Sequence, residues 1–493
     1  MEIKVLNGEL VEQSCDILVV GIWGKTEVLS GITASVDEAM GGIISDFVIK
    51  KDEFKGKFND TYLLQTYGKI PANKVLIAGL GNKEKFNPNK LRELTAKIIK
   101  KALSIKAKKV CIDLGKLEFD ASLSGQVVAE GALIGEYSFD KYKSKKEEGK
   151  KNIEEFVLVE KDFDKSEKLR IGVEKGEKIA NAMSFARNLA NEPAQYATPS
   201  RLAEIAKKLD GIKTKIYEKD DILRMEMGAF LAVSQGSAEF PKFIHMKYAP
   251  SNPKKKIAII GKGITFDSGG LDLKPASSML NMKDDMSGSA CVLGIMSALK
   301  SLNPEAEVHG IIAACENMPS GTSYKPGDIL TAKNKKTIEI DNTDAEGRLT
   351  LADALCYACE LEVDEIIDIA TLTGACMVAL GSQAAGIMGN NQELIDRIIK
   401  TGDETGERFW QLPMFEEYKD GLKSDVADMK NTGSRYGGAS AAGVFLKEFV
   451  KDEIPWAHID IAGTAFLSKP QKELIKGASG IGVRTLINYI MGE

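Results

Sequence analysis

Two carboxylates stand two residues apart in the segment 342–349, where Asp344 and Glu346 are followed by a glycine and an arginine. Side chains at positions i and i+2 lie on different faces of a helix, but they point the same way in an extended segment or a loop. The run 337–340 is typical of a short strand, and apolar residues recur with helical period after the acidic pair. The spacing therefore predicts a strand-to-helix turn, which is where open α/β sheets bind ligands.

Further acids occur close to apolar strand-like runs. Asp267 lies in the glycine-rich segment 261–275, which follows a predicted strand ending at Ile260, and Asp285 comes just before a predicted helix of small residues. One such acid is explained by helix capping as well as by ligand binding. Several acids held together at low dielectric repel one another unless a cation lies among them. The sequence therefore predicts a cation-binding cluster made of Asp267, Asp285, Asp344 and Glu346.

Other catalytic motifs fit the sequence poorly. Lys262 is followed by Gly263 rather than by Ser or Thr, so the segment is not a phosphate-binding P-loop. Ser268 lacks the GxSxG frame of a nucleophile elbow, and no HExxH zinc motif is present. The three histidines lie in strand-like apolar runs and are predicted to be structural: His245, His309 and His458.

Composition limits the class of protein. The chain has 493 residues, 43% hydrophobic and 28% charged, with a formal net charge of −5, which predicts a folded protein of two domains with little attraction for nucleic acid or acidic membranes. The N-terminal residues do not resemble a secretory signal and no apolar run approaches a membrane span, so we expect a cytoplasmic protein. Seven cysteines in a long chain indicate reduced, buried thiols, and Cys356 and Cys359 are predicted to pack in a helix.

The order of elements predicts an α/β fold with two domains, each a mixed or mostly parallel sheet flanked by helices. We expect an N-terminal domain over 1–160 with a regulatory or assembly role, a linking helix over 161–195, and a larger domain over 196–493 that carries the metal site. Continuous apolar runs predict strands buried on both faces at 257–260, 309–314, 366–370 and 458–461. Shorter runs predict strands of the first domain at 17–20, 75–78, 110–114 and 156–159, with a charge-dense surface segment at 141–151.

The motifs NTDAEGRL at 342–349 and GKGITFDSGG at 261–270, with Lys274 and the segment 282–285, resemble those of the leucyl aminopeptidases, also called cytosol aminopeptidases. The segments 316–321, 371–374 and 460–463 are also similar to that family. The resemblance covers the second domain and, more loosely, the first. It implies a metal-dependent exopeptidase that releases N-terminal leucine or other apolar residues from short peptides.

The resemblance also implies the ligands of two divalent cations. Lys262, Asp267, Asp285 and Glu346 would surround one cation, and Asp267, Asp344 and Glu346 would hold the other, together with the backbone carbonyl of Asp344. Four carboxylates balance two divalent cations if Lys262 binds as a neutral amine, which a neighbouring cation favours. Oxygen and amine ligands suit Mn²⁺ or Zn²⁺, and Mg²⁺ or Co²⁺ also fit.

A two-metal site can activate a water and polarise a scissile carbonyl. By the resemblance, Lys274 and Arg348 are the catalytic pair: Lys274 stabilises the oxyanion, and Arg348 holds a bicarbonate that accepts the proton of the water. The free α-amine of the substrate would bind at the cation next to Lys262, so cleavage is exopeptidic. The resemblance assigns substrate contacts to Met282, Asn342, Thr371, Leu372, Gly374, Met377 and Ala462, and it implies a homohexamer with the sites facing an internal cavity.

Two other functions remain as alternatives from the sequence. Paired carboxylates with Arg or Lys clamps also suit a two-metal phosphoesterase, although an amine ligand argues against it. Some members of the family that this sequence resembles bind DNA. The net negative charge of this chain and the lack of a cluster of basic residues in its sequence argue against a nucleic-acid partner. Hydrolysis of Leu-p-nitroanilide, with and without Mn²⁺ and a chelator, distinguishes a peptidase from both.

Overall fold

The computed structural model describes four stretches of the chain, residues 1–51, 53–115, 117–144 and 152–492. Most of the charge-dense segment 141–151, which was predicted to lie at the surface, falls outside the described residues. None of the helices in the described stretches has both the length and the apolar character needed to cross a membrane. The chain divides into two compact units, Met1–Asn181 with Pro470–Ile475, and Ala182–Lys469 with Lys476–Glu493.

The first unit contains one mixed sheet flanked by helices, as the sequence predicts. Its strands are β1 (Glu2–Asn7), β2 (Ile17–Trp23), β3 (Thr61–Gln65), β4 (Lys74–Gly81), β5 (Lys109–Ile112) and β6 (Glu155–Glu160). The strand order is β1-β6-β5-β2-β4-β3, and every neighbouring pair is parallel except β3 with β4. Its helices are α1 (Gly31–Ala39), α2 (Pro88–Ser104) and α3 (Ala121–Glu136), while α4 (Phe163–Asn191) runs across the boundary between the units.

Side chains of β2 alternate between two cores. Ile17 and Val19 pack in the core that contains α2 and α3, whereas Leu18 and Val20 pack in the core that contains α1. Successive strand residues point to opposite faces of a sheet, so a strand covered on both faces needs a continuous apolar run. The predicted strands of this unit are confirmed for that reason.

The second unit contains an eight-stranded sheet. Its strands are β7 (Lys213–Tyr217), β8 (Lys242–Tyr248), β9 (Lys255–Asp267), β10 (Ala306–Asn317), β13 (Glu365–Ala370), β14 (Ala385–Gly389), β15 (Phe409–Gln411) and β17 (Trp456–Asp460). Their order in the sheet is β15-β14-β17-β13-β9-β10-β8-β7. The four middle strands β17, β13, β9 and β10 are parallel. β14 is antiparallel to β17, β8 to β10 and β7 to β8, while β15 is parallel to β14. Small sheets are formed by β11 (Ile329–Thr331), β12 (Thr337–Glu339) and β16 (Met429–Lys430), and by β18 (Phe466–Leu467) and β19 (Gly477–Ala478).

The helices of the second unit cover both faces of the large sheet and connect its strands. They are α5 (Pro199–Lys207), α6 (Lys219–Arg224), α7 (Gly228–Ser234), α8 (Ala276–Met279), α9 (Ser287–Leu302), α10 (Gly347–Ala358), α11 (Gly374–Leu380), α12 (Gln392–Thr405), α13 (Gly438–Lys447) and α14 (Val483–Met491). Every residue of α10 is buried. Cys356 and Cys359, at the end of this helix, are buried free thiols that approach the carbonyl oxygen of Phe449 at 3.7 and 3.9 Å, so their predicted packing role is confirmed.

The prediction that a strand ends at Ile260 is wrong, because β9 continues to Asp267. The glycines that suggested a loop serve close packing instead. A Cβ atom at Gly261 would lie 2.5 Å from the carbonyl oxygen of Gly288, so no larger residue fits there. Lys262 and Asp267 therefore belong to a central, buried strand rather than to a loop.

Asp353 holds α10 against two neighbouring segments. Its carboxylate is fully buried and accepts hydrogen bonds from the backbone N–H groups of Phe230 and Lys333, each at 2.8 Å. Replacing Asp353 with alanine leaves both donors without this acceptor, and we expect the free energy of unfolding to fall by about 2–4 kcal/mol. Urea denaturation of full-length protein measures this loss. Glu360→Ala, at an exposed side chain, is the control, and an equal loss in both variants would contradict the prediction.

Candidate metal centre

The carboxyl ends of the four parallel middle strands meet at one edge of the large sheet. Asp267 ends β9, Asn317 ends β10, Asp460 ends β17, and Thr371 follows β13 directly. Ligands of open α/β sheets bind at this edge. The edge therefore gathers polar side chains from strands that are far apart in the sequence.

Asp344 and Glu346 lie in the turn between β12 and α10, as their spacing predicts. The side-chain oxygen of Asn342 accepts the N–H of Asp344 at 2.7 Å and fixes the turn. Glu346 occupies the N-cap position of α10, yet its side chain makes no capping hydrogen bond. Helix capping therefore does not explain the presence of an acidic residue at position 346.

Lys262 lies among the acids with only 3% of its side chain exposed. Its Nζ is 2.8 and 2.7 Å from the two carboxylate oxygens of Asp285, 2.9 Å from Oε1 of Glu346, and 3.0 Å from the carbonyl oxygen of Thr371. A Cβ atom at position 347 would lie 2.5 Å from Cε of Lys262, so Gly347 leaves the space through which this lysine passes. Gly347 of the segment 342–349 is therefore required for the position of Lys262.

Lys274 approaches the same cluster from the loop after β9. Its Nζ lies 2.8 Å from Oδ2 of Asp267 and 2.5 Å from Oδ1 of Asp344, and 14% of its side chain is exposed. The other oxygen of Asp267 accepts the N–H of Gly269 and the side-chain amide of Asn317, both at 2.9 Å. Lys274 is therefore the more accessible of the two lysines in the cluster.

The acids have a geometry that fits metal ions. One carboxylate oxygen from each of Asp267, Asp344 and Glu346 lies within 4.8 Å of the others. Oε2 of Glu346 is buried and accepts no hydrogen bond from any described residue. A buried, unpartnered carboxylate oxygen is costly unless a cation coordinates it. Carboxylate oxygens beside an amine form a donor set that suits a divalent cation.

Burial and mutual repulsion both affect the titration of this cluster. Burial, and then the charge of Glu346, raise the pKa of Asp267, while burial and the charge of Asp267 raise the pKa of Asp344. Burial also raises the pKa of Asp285 well above its ordinary value, against the opposing effect of Lys262. Burial lowers the pKa of Lys262, but the charges of the carboxylates outweigh it, so the net shift is upward. If all four acids were ionised, they would carry more negative charge than the two lysines balance, and the raised pKa values of the acids reflect this repulsion together with burial.

Arg348 projects from the first turn of α10 into a buried position. Its Nη1 donates to the carbonyl oxygen of Asn431 at 2.8 Å, and the guanidinium lies 5.9 Å from the centre of the Phe445 ring. Its Nε is buried and has no acceptor among the described residues. Burial lowers the pKa of Arg348 to about 10, against the opposing charges of Glu346 and Asp460. An unpartnered donor on a buried guanidinium can bind a small anion.

Two family models match this chain. Residues 184–487 match the catalytic domain of the cytosol aminopeptidase family, and residues 19–146 match its N-terminal domain. The chain belongs to the cytosol aminopeptidase family. It is therefore a metal-dependent aminopeptidase, a hydrolase that acts on peptides, and the resemblance found in its sequence motifs is confirmed.

Relatives of the cytosol aminopeptidase family match over the full chain. A "Probable cytosol aminopeptidase" from Sulfurihydrogenibium sp. (strain YO3AOP1) is 47% identical, covering 100% of this chain and 98% of that protein. Another from Persephonella marina (strain DSM 14350 / EX-H1) is 45% identical, covering 100% of both. Among solved structures, a mutant of tomato leucine aminopeptidase has a TM-score of 0.88 and 34% identity, covering 100% of this chain and 97% of its own. The bottromycin maturation enzyme BotP in complex with Mn has a TM-score of 0.86 and 30% identity, covering 97% and 99%.

Three residues that the sequence did not assign hold the site of this aminopeptidase together. The side-chain amide of Asn317 donates to Asp267 at 2.9 Å and to the carbonyl oxygen of Thr343 at 3.0 Å. Asn431 accepts the N–H of Asp341, directly before the segment 342–349, at 2.8 Å and donates to the carbonyl oxygen of Asn342 at 2.7 Å. Asp460 accepts the N–H groups of Leu372 and Ala462 at 3.2 and 3.1 Å. All three act through contacts between segments far apart in sequence.

The predicted substrate contacts come from four segments near the edge. Thr371 donates its hydroxyl to Asp285 at 2.9 Å, which joins the segment of Met282 to the end of β13. Asp460 joins the segment of Leu372 to that of Ala462. Gly374 and Met377 lie in the exposed first turns of α11, with the Cα of Met377 3.3 Å from a Cβ built at Gly463. Asn342 holds the turn of the acidic pair through its side-chain oxygen.

The histidines are absent from the acidic cluster of the described residues and lie in buried hydrogen-bond networks. His245 and His309 contact each other at 2.8 Å, and His309 contacts Glu307 at 2.9 Å. His458 contacts Asp368 at 2.5 Å. These contacts agree with the predicted structural role.

Proposed function

We propose that this protein releases N-terminal residues, preferably leucine or another apolar residue, from short peptides with the help of two divalent cations. The observation that carries the proposal is the cluster of four acids, three of them buried, and Lys262 at the carboxyl edge of the sheet, in which Oε2 of Glu346 has no hydrogen-bond partner among the described residues. The bottromycin maturation enzyme BotP, which has a similar fold and 30% sequence identity, is described as a complex with Mn, which supports a cation of this type here.

The proposed ligands divide into two sets that share two acids. Lys262 and Asp285 would hold the first cation, Asp344 would hold the second through its side chain and its backbone carbonyl, and Asp267 and Glu346 would contribute to both sets. The short distances from Lys262 to Asp285 and Glu346 support the first set, and the oxygens of Asp267, Asp344 and Glu346, which lie within 4.8 Å of one another, support the second. Mn²⁺ or Zn²⁺ is proposed, since both accept oxygen and nitrogen ligands.

When bound, such cations supply Lewis acidity toward the scissile carbonyl and lower the pKa of a water. The role proposed for Lys274 is to donate from Nζ to the carbonyl oxygen as negative charge develops on it. Its partial exposure and its position beside Asp267 and Asp344 support that role. Charge stabilisation of this kind acts on the transition state more than on the bound substrate.

The role proposed for Arg348 is to hold a bicarbonate, an anion that can accept a proton from water. The unpartnered Nε supports this role, because the other side of the guanidinium is already fixed by Asn431. The Nε atom itself is buried, so bulk water does not replace an anion as its hydrogen-bond acceptor.

Replacing Arg348 with alanine is expected to lower kcat by about 10²-fold while cation content stays unchanged, because proton transfer aids typically contribute 10²–10⁴-fold. Arg348→Lys keeps the charge but loses the paired donors, so it should recover only part of the rate. Steady-state kinetics with added bicarbonate and elemental analysis measure both effects. Unchanged turnover in Arg348→Ala would contradict the proposed role.

The experiment that tests the function compares p-nitroanilides after dialysis against a chelator. Leu-p-nitroanilide should be hydrolysed after addition of Mn²⁺ or Zn²⁺ and not before. N-acetyl-Leu-p-nitroanilide, which lacks a free amine, should resist cleavage, and Asp-p-nitroanilide should react more slowly because the proposed pocket residues Met282, Leu372, Met377 and Ala462 are apolar. Hydrolysis of p-nitrophenyl phosphate, without hydrolysis of any p-nitroanilide, would favour a phosphoesterase and overturn the proposal.

A homohexamer in the cytoplasm is also proposed, with access to the sites limited to short peptides. The descriptions of the relatives as cytosol aminopeptidases support the location. Light scattering of the purified protein tests the assembly. A monomeric mass at micromolar concentration would refute the hexamer without affecting the proposed chemistry.

A further inference from the structure

A large cavity lies within the first compact unit, in a part of the chain that the proposed peptidase chemistry does not use. Its volume is about 1000 Å³. It is lined by the ends of β2, β4, β5 and β6 and by the first turn of α1. Cavities of 300–1000 Å³ are the usual size of small-molecule sites. The cavity therefore has room for a small-molecule ligand.

The strand order places this cavity where an open sheet binds ligands. After β2 the chain adds β3 and β4 on one side of β2, and it then crosses to add β5 on the other side. The strands β2, β4, β5 and β6 are parallel, so their carboxyl ends share one edge. A crevice opens at such a point of reversal, and ligands of doubly wound sheets bind there.

The first turn of α1 faces this cavity. Ser30, Gly31, Ile32 and Thr33 line the cavity, and Ser30 at the N-cap makes no capping hydrogen bond. The first N–H groups of a helix have no intrahelical acceptor and carry partial positive charge. Thr33 donates its hydroxyl to the carbonyl oxygen of Gly21 at 2.8 Å, which fixes the turn against the end of β2.

Aromatic side chains line another part of the cavity. Trp23 and Phe86 pack edge to face with ring centres 5.2 Å apart, and Leu80 and Leu117 lie beside them in the lining. Partly exposed aromatic rings provide a surface on which a flat ring system can stack. This part of the cavity suits an apolar, aromatic portion of a ligand.

Asp113 provides a hydrogen-bond acceptor directly after β5. One of its oxygens accepts the N–H of Gly115 at 2.6 Å, and the residue is partly buried in the lining. The nearby acid Glu160 is paired with Lys165 at 2.6 Å, so its charge is balanced. A carboxylate in such a position can accept from a ring amine or a sugar hydroxyl.

We propose that this cavity binds a nucleotide, a molecule in which an aromatic base, hydrogen-bond donors and a phosphate group are joined. The aromatic pair Trp23 and Phe86 contacts the base, Asp113 accepts from an amine or hydroxyl of the nucleoside, and the first turn of α1 binds the phosphate. The site is separate from the acidic cluster, and the proposal does not depend on the peptidase chemistry.

Calorimetric titration of the full chain with ADP, GDP and UDP tests the proposal, with adenosine, guanosine, uridine and inorganic phosphate as partial ligands. At least one nucleotide should bind with a Kd below about 1 mM, and its matched nucleoside and phosphate should each bind at least about tenfold more weakly. Failure of all three nucleotides to bind in this range would overturn the proposal.

Two substitutions at Gly31 test the position of the phosphate. Gly31 has φ +57° and a Cβ there would meet nothing within 4 Å, so aspartate and asparagine, which tolerate this conformation, both fit. Gly31→Asp should weaken the best nucleotide by about tenfold relative to Gly31→Asn, through repulsion of the phosphate. The affinity for adenosine should be the same in both variants. Equal nucleotide affinity in the two variants would overturn the assignment of the phosphate to α1.

Substitution of Asp113 by asparagine tests the acceptor. The affinity for both the nucleotide and its nucleoside should fall by about tenfold, while Asp60→Asn, an exposed acid outside the lining, should have no effect. Thermal unfolding and hydrolysis of Leu-p-nitroanilide confirm that each variant is folded. If Asp113→Asn does not fold, the Gly31 pair decides alone. Nucleotide binding that survives unchanged in both Gly31→Asp and Asp113→Asn would contradict this site.

Discussion

Replacing Glu346 with glutamine should lower kcat for Leu-p-nitroanilide by about 10⁴-fold, which corresponds to several kcal/mol of lost cation-dependent stabilisation of the transition state. Glu346 is 1% exposed, with Oε1 2.9 Å from Nζ of Lys262 and Oε2 without any hydrogen-bond partner in the described chain. Glutamine has nearly the same size but no charge, and its amide nitrogen cannot coordinate a cation as a carboxylate oxygen does. The packing of α10 should therefore survive while the cations are lost.

Elemental analysis and kinetics at saturating Mn²⁺ test this expectation together. Glu360→Gln is the control, since Glu360 lies just beyond α10 and pairs with Lys333 at the surface, 3.1 Å away. We expect wild-type cation content in the control and a deficit in Glu346→Gln, with similar melting temperatures for the two cation-free proteins. Full cation content with normal turnover in Glu346→Gln would refute the proposed ligand set.

The central strands of both sheets were predictable because burial on both faces demands continuous apolar sequence. The edge strands β1 and β7 were not, because each carries several exposed or half-exposed polar residues and resembles a loop in composition. β3 was missed for a similar reason, since none of its residues is fully buried. Edge strands are specified by pairing with a neighbour, which a local pattern does not reveal.

The spacing of residues in the sequence predicts only part of the acidic cluster. The interval between Asp344 and Glu346 predicts their turn correctly, because it reflects local backbone geometry. The end of β9 was predicted wrongly, because the strand was ended before the glycine-rich segment that starts at Gly261, whereas Gly261 lies within the strand and avoids a collision with Gly288. A glycine needed for close packing and a glycine needed for a turn look the same in a sequence.

The residues that position the cluster were the least predictable part of the site. Asn317 and Asn431 are separated by more than a hundred residues, yet both bind the turn that carries Asp344. The segment of Asn431 carries no motif, and the family-like segment 316–321 does not by itself reveal that Asn317 contacts this turn. Only the tertiary fold brings the two residues to it. In the sequence each is only an asparagine at or just after the end of a strand, a position where this residue is common because its side chain favours turns.

The two lysines of the cluster should respond differently to the same substitution by methionine. Lys262→Met should reduce the content of divalent cation and raise the Kd of the cation proposed to bind Lys262 by more than about 100-fold, since even outer partners of metal ligands contribute 10–100-fold. Lys274→Met should keep both cations and lower kcat by about 10²–10³-fold, the usual effect of removing an oxyanion donor. Methionine keeps most of the apolar length of lysine and removes only its charge and its hydrogen bonds.

The difference follows from where the two ammonium groups lie. Lys262 is 3% exposed and surrounded by Asp285, Glu346 and the carbonyl oxygen of Thr371, so it has no access to a substrate. Lys274 is 14% exposed and contacts the side chains of Asp267 and Asp344, so it can exchange these partners for a substrate carbonyl. Titration of the cation-free proteins with Mn²⁺, followed by single-turnover kinetics, separates binding from chemistry, and each variant is the control for the other. Equal cation loss in both variants would show that Lys274 is also a ligand, and intact binding in Lys262→Met would remove Lys262 from the coordination sphere.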